Sequence, residues 1–371
     1  MQNDVMQNDV MQNDVLPTLS IFIEPKLLKV LKSNVWNEEP IASKLVVDNI
    51  PYKIGITYRG DLTRKFRKKS YRIDFGEYNE IFEGRELHLN AEYCDPSLIR
   101  NKLSFDFFKD IGGISPECKH IFVAINGSPM GIYLQLESVD DLFLHKRKLP
   151  YGPIFYASNH HANFSLLTPK HKPKPSLLSG YERKLGNDED NLDLEMFICK
   201  VNTIPRGDFG KEIIRYMDVK KYLLWLCGVI CTQNYDAFTH NYTLYRNGET
   251  GLYEMIPWDY DATWGRDCNG GIMEYDYVPI KGYNTLTARL LDVKEIRQQY
   301  RLLLEEILET SFTTAALESR ITNLHKQLRP YLSVDPYKKK SIDMFDNEPD
   351  LILRFISDRN SYLWSHLKDL T

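Results

Sequence analysis

Two short stretches concentrate the residues able to move protons and hold cations. The first is Asn234-Tyr235-Asp236-Ala237-Phe238-Thr239-His240-Asn241, with Asp236 and Asn241 five positions apart. The second is Ile256-Pro257-Trp258-Asp259-Tyr260-Asp261-Ala262-Thr263-Trp264-Gly265. A positioned carboxylate can accept a proton from a hydroxyl. If residues 259–261 are extended, Asp259 and Asp261 point to one face. Two carboxylates on one face repel unless a cation lies between them, and oxygen ligands without Cys or His suit magnesium or manganese. The plainer reading of both stretches is a pair of loops in which aspartates cap turns and Trp258 joins the core.

The order of these residues sharpens the reading. An apolar helical stretch, Tyr222 to Ile230, precedes the first loop. A hairpin follows it, with strands 242–245 and 252–256 around a turn at Asn247-Gly248, and leads into Asp259. Phosphoryl-transfer enzymes of the protein-kinase type use the order Asp, Asn, hairpin, Asp. In them the first Asp accepts the substrate hydroxyl proton, and the Asn and second Asp hold magnesium. A basic run offers a partner for phosphate: Lys53, Arg59, Arg64, Lys65, Arg67, Lys68, Lys69 and Arg72 fall within twenty residues, against one acid, Asp61. Lys69 is in phase with Tyr71 and Ile73 of the strand that follows and is expected to point inward, Lys68 outward. A solvated charge run is the bland alternative.

Other residues carry weaker expectations. Glu137 ends a strand and could orient a lysine or bind metal, or be an ordinary edge carboxylate. Arg100, on a helix expected over 96–108 and capped by Asp95, could reach a phosphate or make a surface salt bridge. Tyr156 and Trp258 could sandwich an adenine or pack in the core. His160, His161 and His240 lack metal-ligand spacing, and structural or surface roles are expected for them.

The elements that must position these residues divide by character. Alternating apolar residues mark strands over 19–23, 44–47, 52–58 and 70–75, with a turn at Asp48-Asn49. A hairpin turns at Asn126-Gly127. Beyond about residue 158, helical stretches at 192–202, 218–233, 285–309, 313–331 and 348–370 dominate, and the acids of 188–195 read as a solvated loop or a docking surface for a basic partner. The expected organisation is a tail over 1–15, made of three Met-Gln-Asn-Asp-Val copies, a sheet-rich N-lobe over 16–157 and a mainly helical C-lobe over 158–371. That is an α+β, two-lobed arrangement with a central cleft.

Composition excludes several classes. The chain has 371 residues, 43% of them hydrophobic and 12% aromatic, which is ample for a core and argues against wholesale disorder. Its net charge of -4 gives no global basic field for bulk nucleic-acid binding. No apolar run approaches the ~20 residues of a membrane helix, and Met1 to Val15 shows no signal-peptide pattern. The six cysteines show no C-x-x-C pair, and Cys227 and Cys231 read as small buried hydrophobes in a reducing compartment.

Several stretches together resemble the CotH family of atypical protein kinases from Bacillus spore coats. They are Tyr-Arg-Gly (58–60), Lys-Lys-Ser-Tyr (68–71), Leu-Asn-Ala-Glu-Tyr (89–93), Asp-Pro-Ser-Leu-Ile-Arg-Asn-Lys-Leu (95–103), Leu-Glu-Ser-Val-Asp (136–140), Asn-Tyr-Asp (234–236), Ile-Pro-Trp-Asp-Tyr-Asp-Ala-Thr-Trp-Gly-Arg-Asp (256–267) and Asp-Pro-Tyr-Lys-Lys (335–339). The likeness runs from about Leu16 to the C-terminus. It implies an atypical protein-kinase-like fold using ATP with Mg²⁺ or Mn²⁺ to phosphorylate serines of other coat proteins and so promote coat assembly. The family's catalytic Asp falls on Asp236, its metal-binding Asp on Asp259, and its strand lysine within Lys68-Lys69; the reading of the residues themselves adds Asn241 as a ligand and Asp261 as a helper. Arg59, Lys68, Lys69, Arg100, Glu137, Tyr156 and Trp258 are the expected nucleotide contacts. Ser-rich basic coat proteins are the expected substrates, with neither nucleic acid nor membrane insertion. The expected location is the mother-cell cytosol during sporulation and then the spore coat. The glycine-rich G-x-G-x-x-G and His-Arg-Asp motifs of conventional kinases are missing, and no Asp-Phe-Gly follows the hairpin, so the phosphate grip must differ. A non-catalytic kinase-fold scaffold and a metal-dependent phosphodiesterase are the alternatives.

Overall fold

A computed structural model describes residues 15–47 and 49–371. The pentapeptide repeat, Val15 apart, and Asp48 of the expected Asp48-Asn49 turn lie outside the described residues.

In chain order the elements are β1 (Thr18–Phe22), α1 (Pro25–Ser33), β2 (Ile41–Val47), β3 (Ile50–Arg59), β4 (Ser70–Asn79), β5 (Gly84–Asn90), α2 (Arg100–Asp110), β6 (Cys118–Ile125), β7 (Ser128–Leu136), α3 (Asp141–Lys146), β8 (Ile154–Ala157) and β9 (Tyr181–Leu185). Then come α4 (Asp188–Thr203), α5 (Phe209–Glu212), α6 (Val219–Thr232), β10 (Tyr242–Arg246), β11 (Tyr253–Pro257), α7 (Thr285–Asp292), α8 (Lys294–Thr310), α9 (Thr314–Leu328) and α10 (Ile342–His366).

The described residues fall into two compact units. One holds the chain through Ile99, with Glu117–Ser138 and Arg320–Pro349; the other holds Arg100–Pro116, Val139–Ser319 and Asp350–Thr371. This differs from a single break at 157/158: β8 pairs with β10 in the second unit, and the helical return over 320–349 joins the first, where Asp335 accepts from Ile132 N–H and meets Lys68. There, seven strands close into a barrel in the order β1-β2-β3-β4-β5-β7-β6. β1 completes the circle by pairing antiparallel to β2 and parallel to β6. Period-two alternation sends Leu19, Ile21, Leu45, Ile56, Ile73, Leu89, Ile121 and Val123 into one buried core. Closure leaves no unpaired edge to template aggregation.

The second unit carries a four-stranded antiparallel sheet, β11-β10-β8-β9. β11 is buried at every position, and α6 is apolar nearly all round and buried over Tyr222, Leu223 and Trp225–Thr232. Cys227 and Cys231 lie inside it, as their apolar surroundings led us to expect. The expected helix over 285–309 is two helices, broken at Val293, whose extended backbone ends α7. The acids of 188–195 are no loop. They form the first turns of α4, under a capping box between Asn187 and Asp190, where negative charge opposes the positive helix end.

Candidate active site

The site is built where α6 stops. Gln233 takes a left-handed conformation (φ 59°) and ends the helix. Its side-chain amide donates to the Glu274 carbonyl at 2.8 Å, fixing the exit. Asn234 follows, its Nδ2 donating to the Asp259 carbonyl at 3.3 Å and its Oδ1 accepting from Ala237 N–H at 3.2 Å. One buried amide thereby ties the two chemically loaded stretches together. A single 3-10 turn over Asp236–Phe238 comes next, closed by Thr239 and His240 N–H groups donating to the Asp236 carbonyl, each at 2.9 Å.

Asn241 (φ 58°) and Asp259 (φ 59°) are both left-handed, a conformation that Asn and Asp accept more readily than most side chains. They flank the same end of one ladder. Tyr242 pairs with Pro257, and Trp258 N–H donates to the Asn241 carbonyl at 3.2 Å, so Asp259 leaves the hairpin beside Asn241. Asp259 is exposed and Asp261 half-buried. The left-handed turn at Asp259 breaks the strand, so the extended, one-face geometry expected for Asp259 and Asp261 does not form. The donors still suit a hard cation: an amide oxygen and carboxylates, with no thiolate.

Burial pushes the Asp236 carboxyl up to about 6; the nearby Asp259 charge adds to the rise, while His160 and a hydrogen bond from Tyr235 oppose it. Such a group is ionised at neutral pH yet more basic than an ordinary carboxylate, the property a proton acceptor needs. Burial, aided by His160, pushes His240 down to about 4.

The loop after Asp259 is held by α2. Tyr260 N–H donates to Asn101 Oδ1 at 3.0 Å, and Trp264 Nε1 to Ser104 Oγ at 2.8 Å. Arg100 is fully buried and donates to the Thr263 and Trp264 carbonyls, at 2.9 and 3.4 Å. It is therefore neither a surface ion pair nor a group exposed to phosphate; it is a positioning residue for the 260–264 loop. The helix also begins at Arg100 rather than Pro96, because Leu98 is left-handed (φ 62°). Asp95 instead accepts from Ser97 N–H at 2.9 Å in a turn.

The other expected contacts have the following surroundings. Tyr156 and Trp258 meet edge to face, centroids 4.8 Å apart at 86°, and so fill one another's space instead of forming a slot for a base. The Tyr156 hydroxyl is also occupied, with Val139 N–H and C=O at 2.8 and 3.2 Å. Arg59, Lys68, Lys69 and Glu137 belong to the barrel unit. There Arg59 donates to Asn90, and Glu137 accepts from Glu117 N–H at 2.9 Å. The lysine parity is reversed. Lys68 is completely buried, with Asp335 at 3.3 Å, the Ile132 carbonyl and the Tyr133 ring around it, while the half-buried Lys69 donates to the Arg64 carbonyl. β4 starts only at Ser70, so its alternation does not reach back to either lysine.

Sequence reasoning gave His160, His240 and Thr239 no chemical part, yet the structure brings all three to Asp236. Thr239 Oγ1 lies 3.0 Å from His160 Nδ1 and 3.2 Å from His240 Nδ1. No local signal joins residues 160 and 240; only the pairing of β8 with β10 does so.

Fold and site together give the class: a mixed sheet-and-helix protein that carries Asp236, Asn241 and Asp259 at one hairpin end. The chain belongs to the CotH kinase family, whose model, described as CotH kinase protein, matches residues 56–363. It is 49% identical over 356 residues to Inner spore coat protein H of Bacillus subtilis (strain 168), covering 96% of this chain and 98% of that one. Inner spore coat protein H-like protein of the same organism is 30% identical over 311 residues, covering 83% and 89%. Among solved structures, the Helicobacter pylori proinflammatory kinase CtkA overlaps 88% of this chain and 93% of its own, at TM-score 0.29 and 9% identity. HipA from the Shewanella oneidensis MR-1 toxin–antitoxin complex overlaps 97% and 75%, at TM-score 0.30 and 11% identity. Among the described residues, no helix is long and apolar enough to cross a membrane.

Proposed function

We propose that this chain is a protein serine kinase of the spore coat that transfers the γ-phosphate of ATP to serines of other coat proteins. The observation that carries the reading is the gathering of Asp236, Asn241 and Asp259 around one hairpin end, with Asn234 bonded across to the Asp259 backbone. Asp236 accepts the serine hydroxyl proton on its carboxylate and orients the oxygen for attack. Asn241 and Asp259 would hold Mg²⁺ or Mn²⁺, with Asp261 beside them. The ion, when bound, supplies positive charge against the phosphate oxygens. Asn101, Arg100 and Ser104 keep the 260–264 loop in place, so the chain contributes positioning and fixed charge rather than covalent chemistry. The reading does not call on Lys68, whose ammonium is occupied by Asp335. Family membership and the spore-coat relatives support both the activity and its setting. Ser-rich, basic coat proteins are the substrate class, and assembly of the coat is the process served.

The test is transfer of labelled γ-phosphate from ATP to a Ser-rich basic protein, with Mg²⁺ or Mn²⁺ present. Wild type labels the protein, and Asp236→Ala and Asp259→Ala each lower the rate by at least about 100-fold. Near-normal labelling by either variant would remove that residue from its role. Release of free phosphate without labelled protein would make the chain a hydrolase.

A further inference from the structure

We infer that His160, Asp236 and His240 form a binding site for a zinc-type divalent cation, and that an ion held there occupies the carboxylate that accepts the substrate proton. The second half rests on the kinase reading; the first does not.

One potential ligand atom from each of the three side chains lies within 4.8 Å of the other two. The sheet explains the meeting. β8 and β10 are antiparallel neighbours, with Tyr156 opposite Thr243, so the segment leaving β8 and the segment entering β10 reach the same end. The two imidazoles stand edge to face with centroids 4.4 Å apart. Two imidazole nitrogens and one carboxylate oxygen are a donor set for zinc and its first-row neighbours. Magnesium, which demands octahedral oxygen ligands, has little use for it. The set is therefore chemically distinct from the all-oxygen group at Asn241 and Asp259.

Support for the ligands is already built. The Thr239 hydroxyl donates to the Asp236 carbonyl at 3.3 Å, which leaves its oxygen to accept from Nδ1–H of both rings. That assignment leaves each Nε2 with its lone pair, and a hydrogen bond on the other ring nitrogen is the usual support of a ligating histidine. The 3-10 turn fixes His240 to Asp236 through the backbone. Tetrahedral zinc needs ligand separations of roughly 3.4 Å, so the gap to close is modest. His160 is exposed and has room to turn.

The experiment titrates the metal-free full-length chain with Co²⁺, an optical reporter of zinc sites, in excess Mg²⁺, and then displaces it with Zn²⁺. One Co²⁺ per chain is expected. His160→Ala and His240→Ala each weaken binding by about 10–100-fold; Asp259→Ala does not, nor does Cys268→Ser, at the thiol that meets Tyr235 beside Asp236. Because His160 is exposed, its variant tests the site without risk to folding. Unchanged cobalt affinity in both histidine variants, or loss of binding in Cys268→Ser instead, overturns the site. In the transfer assay, Zn²⁺ suppresses wild-type labelling, and His160→Ala needs at least about tenfold more Zn²⁺ relative to its own zinc-free rate. Cobalt binding at the histidines with labelling indifferent to zinc would overturn the second half. Absence of labelling with or without zinc would defeat the kinase reading, while the cobalt spectrum still decides the site.

Discussion

Asp236 sits where its charge is uncomfortable. Its carboxyl is raised to about 6, first by burial and then by Asp259. An unfolded chain ionises this group near the ordinary 3.8, so between about pH 4 and 6 the folded state binds more protons and loses stability as pH rises. Asp236→Asn removes that penalty. The variant should therefore gain stability over wild type as pH rises from 4 to 6 and keep the gain at 7, measured by urea unfolding across the range. A constant difference would mean that the carboxylate is not strained by its setting. The second cause is separable: in the protein without added metal, Asp259→Asn should move the Asp236 titration down, read by carboxyl carbon NMR. At this scale the sequence was legible where chemistry is local. The Asp236–Asn241 offset and the Trp258-Asp259 run stand out as text. His160 does not, because its partners are reached only through strand pairing. Lys68 and Lys69 were misjudged because strand parity was extended past the strand's first residue.

At the scale of elements, α2 matters more than its length suggests. Its first turn holds the loop that leaves Asp259, through Arg100 to two carbonyls and Asn101 to Tyr260 N–H. Arg100→Lys keeps the charge but cannot bridge both carbonyls with a planar fork. It should cost about 1–3 kcal/mol in chemical denaturation and lower the rate of transfer through a displaced Asp259. Stability and rate both at wild-type level would show that the loop holds itself. The strands of the barrel and the Asn126-Gly127 turn were readable from period two and turn chemistry. The start of α2 was not, since nothing marks Leu98 as left-handed. Nor was the start of α4, where five acids looked like solvent-facing loop until the capping box at Asn187 gave them a helix end to face.

For the molecule as a whole, the ion pair inside the first unit is the structural commitment most exposed to mutation. Asp335 accepts from Ile132 N–H at 2.9 Å and faces Lys68 at 3.3 Å, both side chains fully buried. Asp335→Ala would leave a buried ammonium without its counter-charge and should cost about 3–5 kcal/mol, measured by denaturant unfolding. A loss under 1 kcal/mol would show that Lys68 finds water or another acceptor. Gly131 makes the same point from the backbone. Its φ is 97°, and a Cβ there would meet an Asp335 carboxylate oxygen at 2.0 Å, so Gly131→Ala should fail to fold as wild type does. The sheet-rich and helix-rich halves were visible in the order of patterns. The late return of residues 320–349 to the first unit was not, because helical periodicity says nothing about which unit a helix serves.

The pairing of Lys68 with Asp335 also sets a schedule for synthesis. The partners are 267 residues apart, so at ribosomal speeds of roughly 5–20 residues per second the lysine waits ~10–50 s for its carboxylate. All seven barrel strands have been made by then. A nascent chain halted before residue 335 therefore carries all the barrel strands while Lys68 lacks the carboxylate it meets in the folded unit. Completion of that unit is an event of the last part of translation, and a premature stop anywhere upstream leaves Lys68 without Asp335.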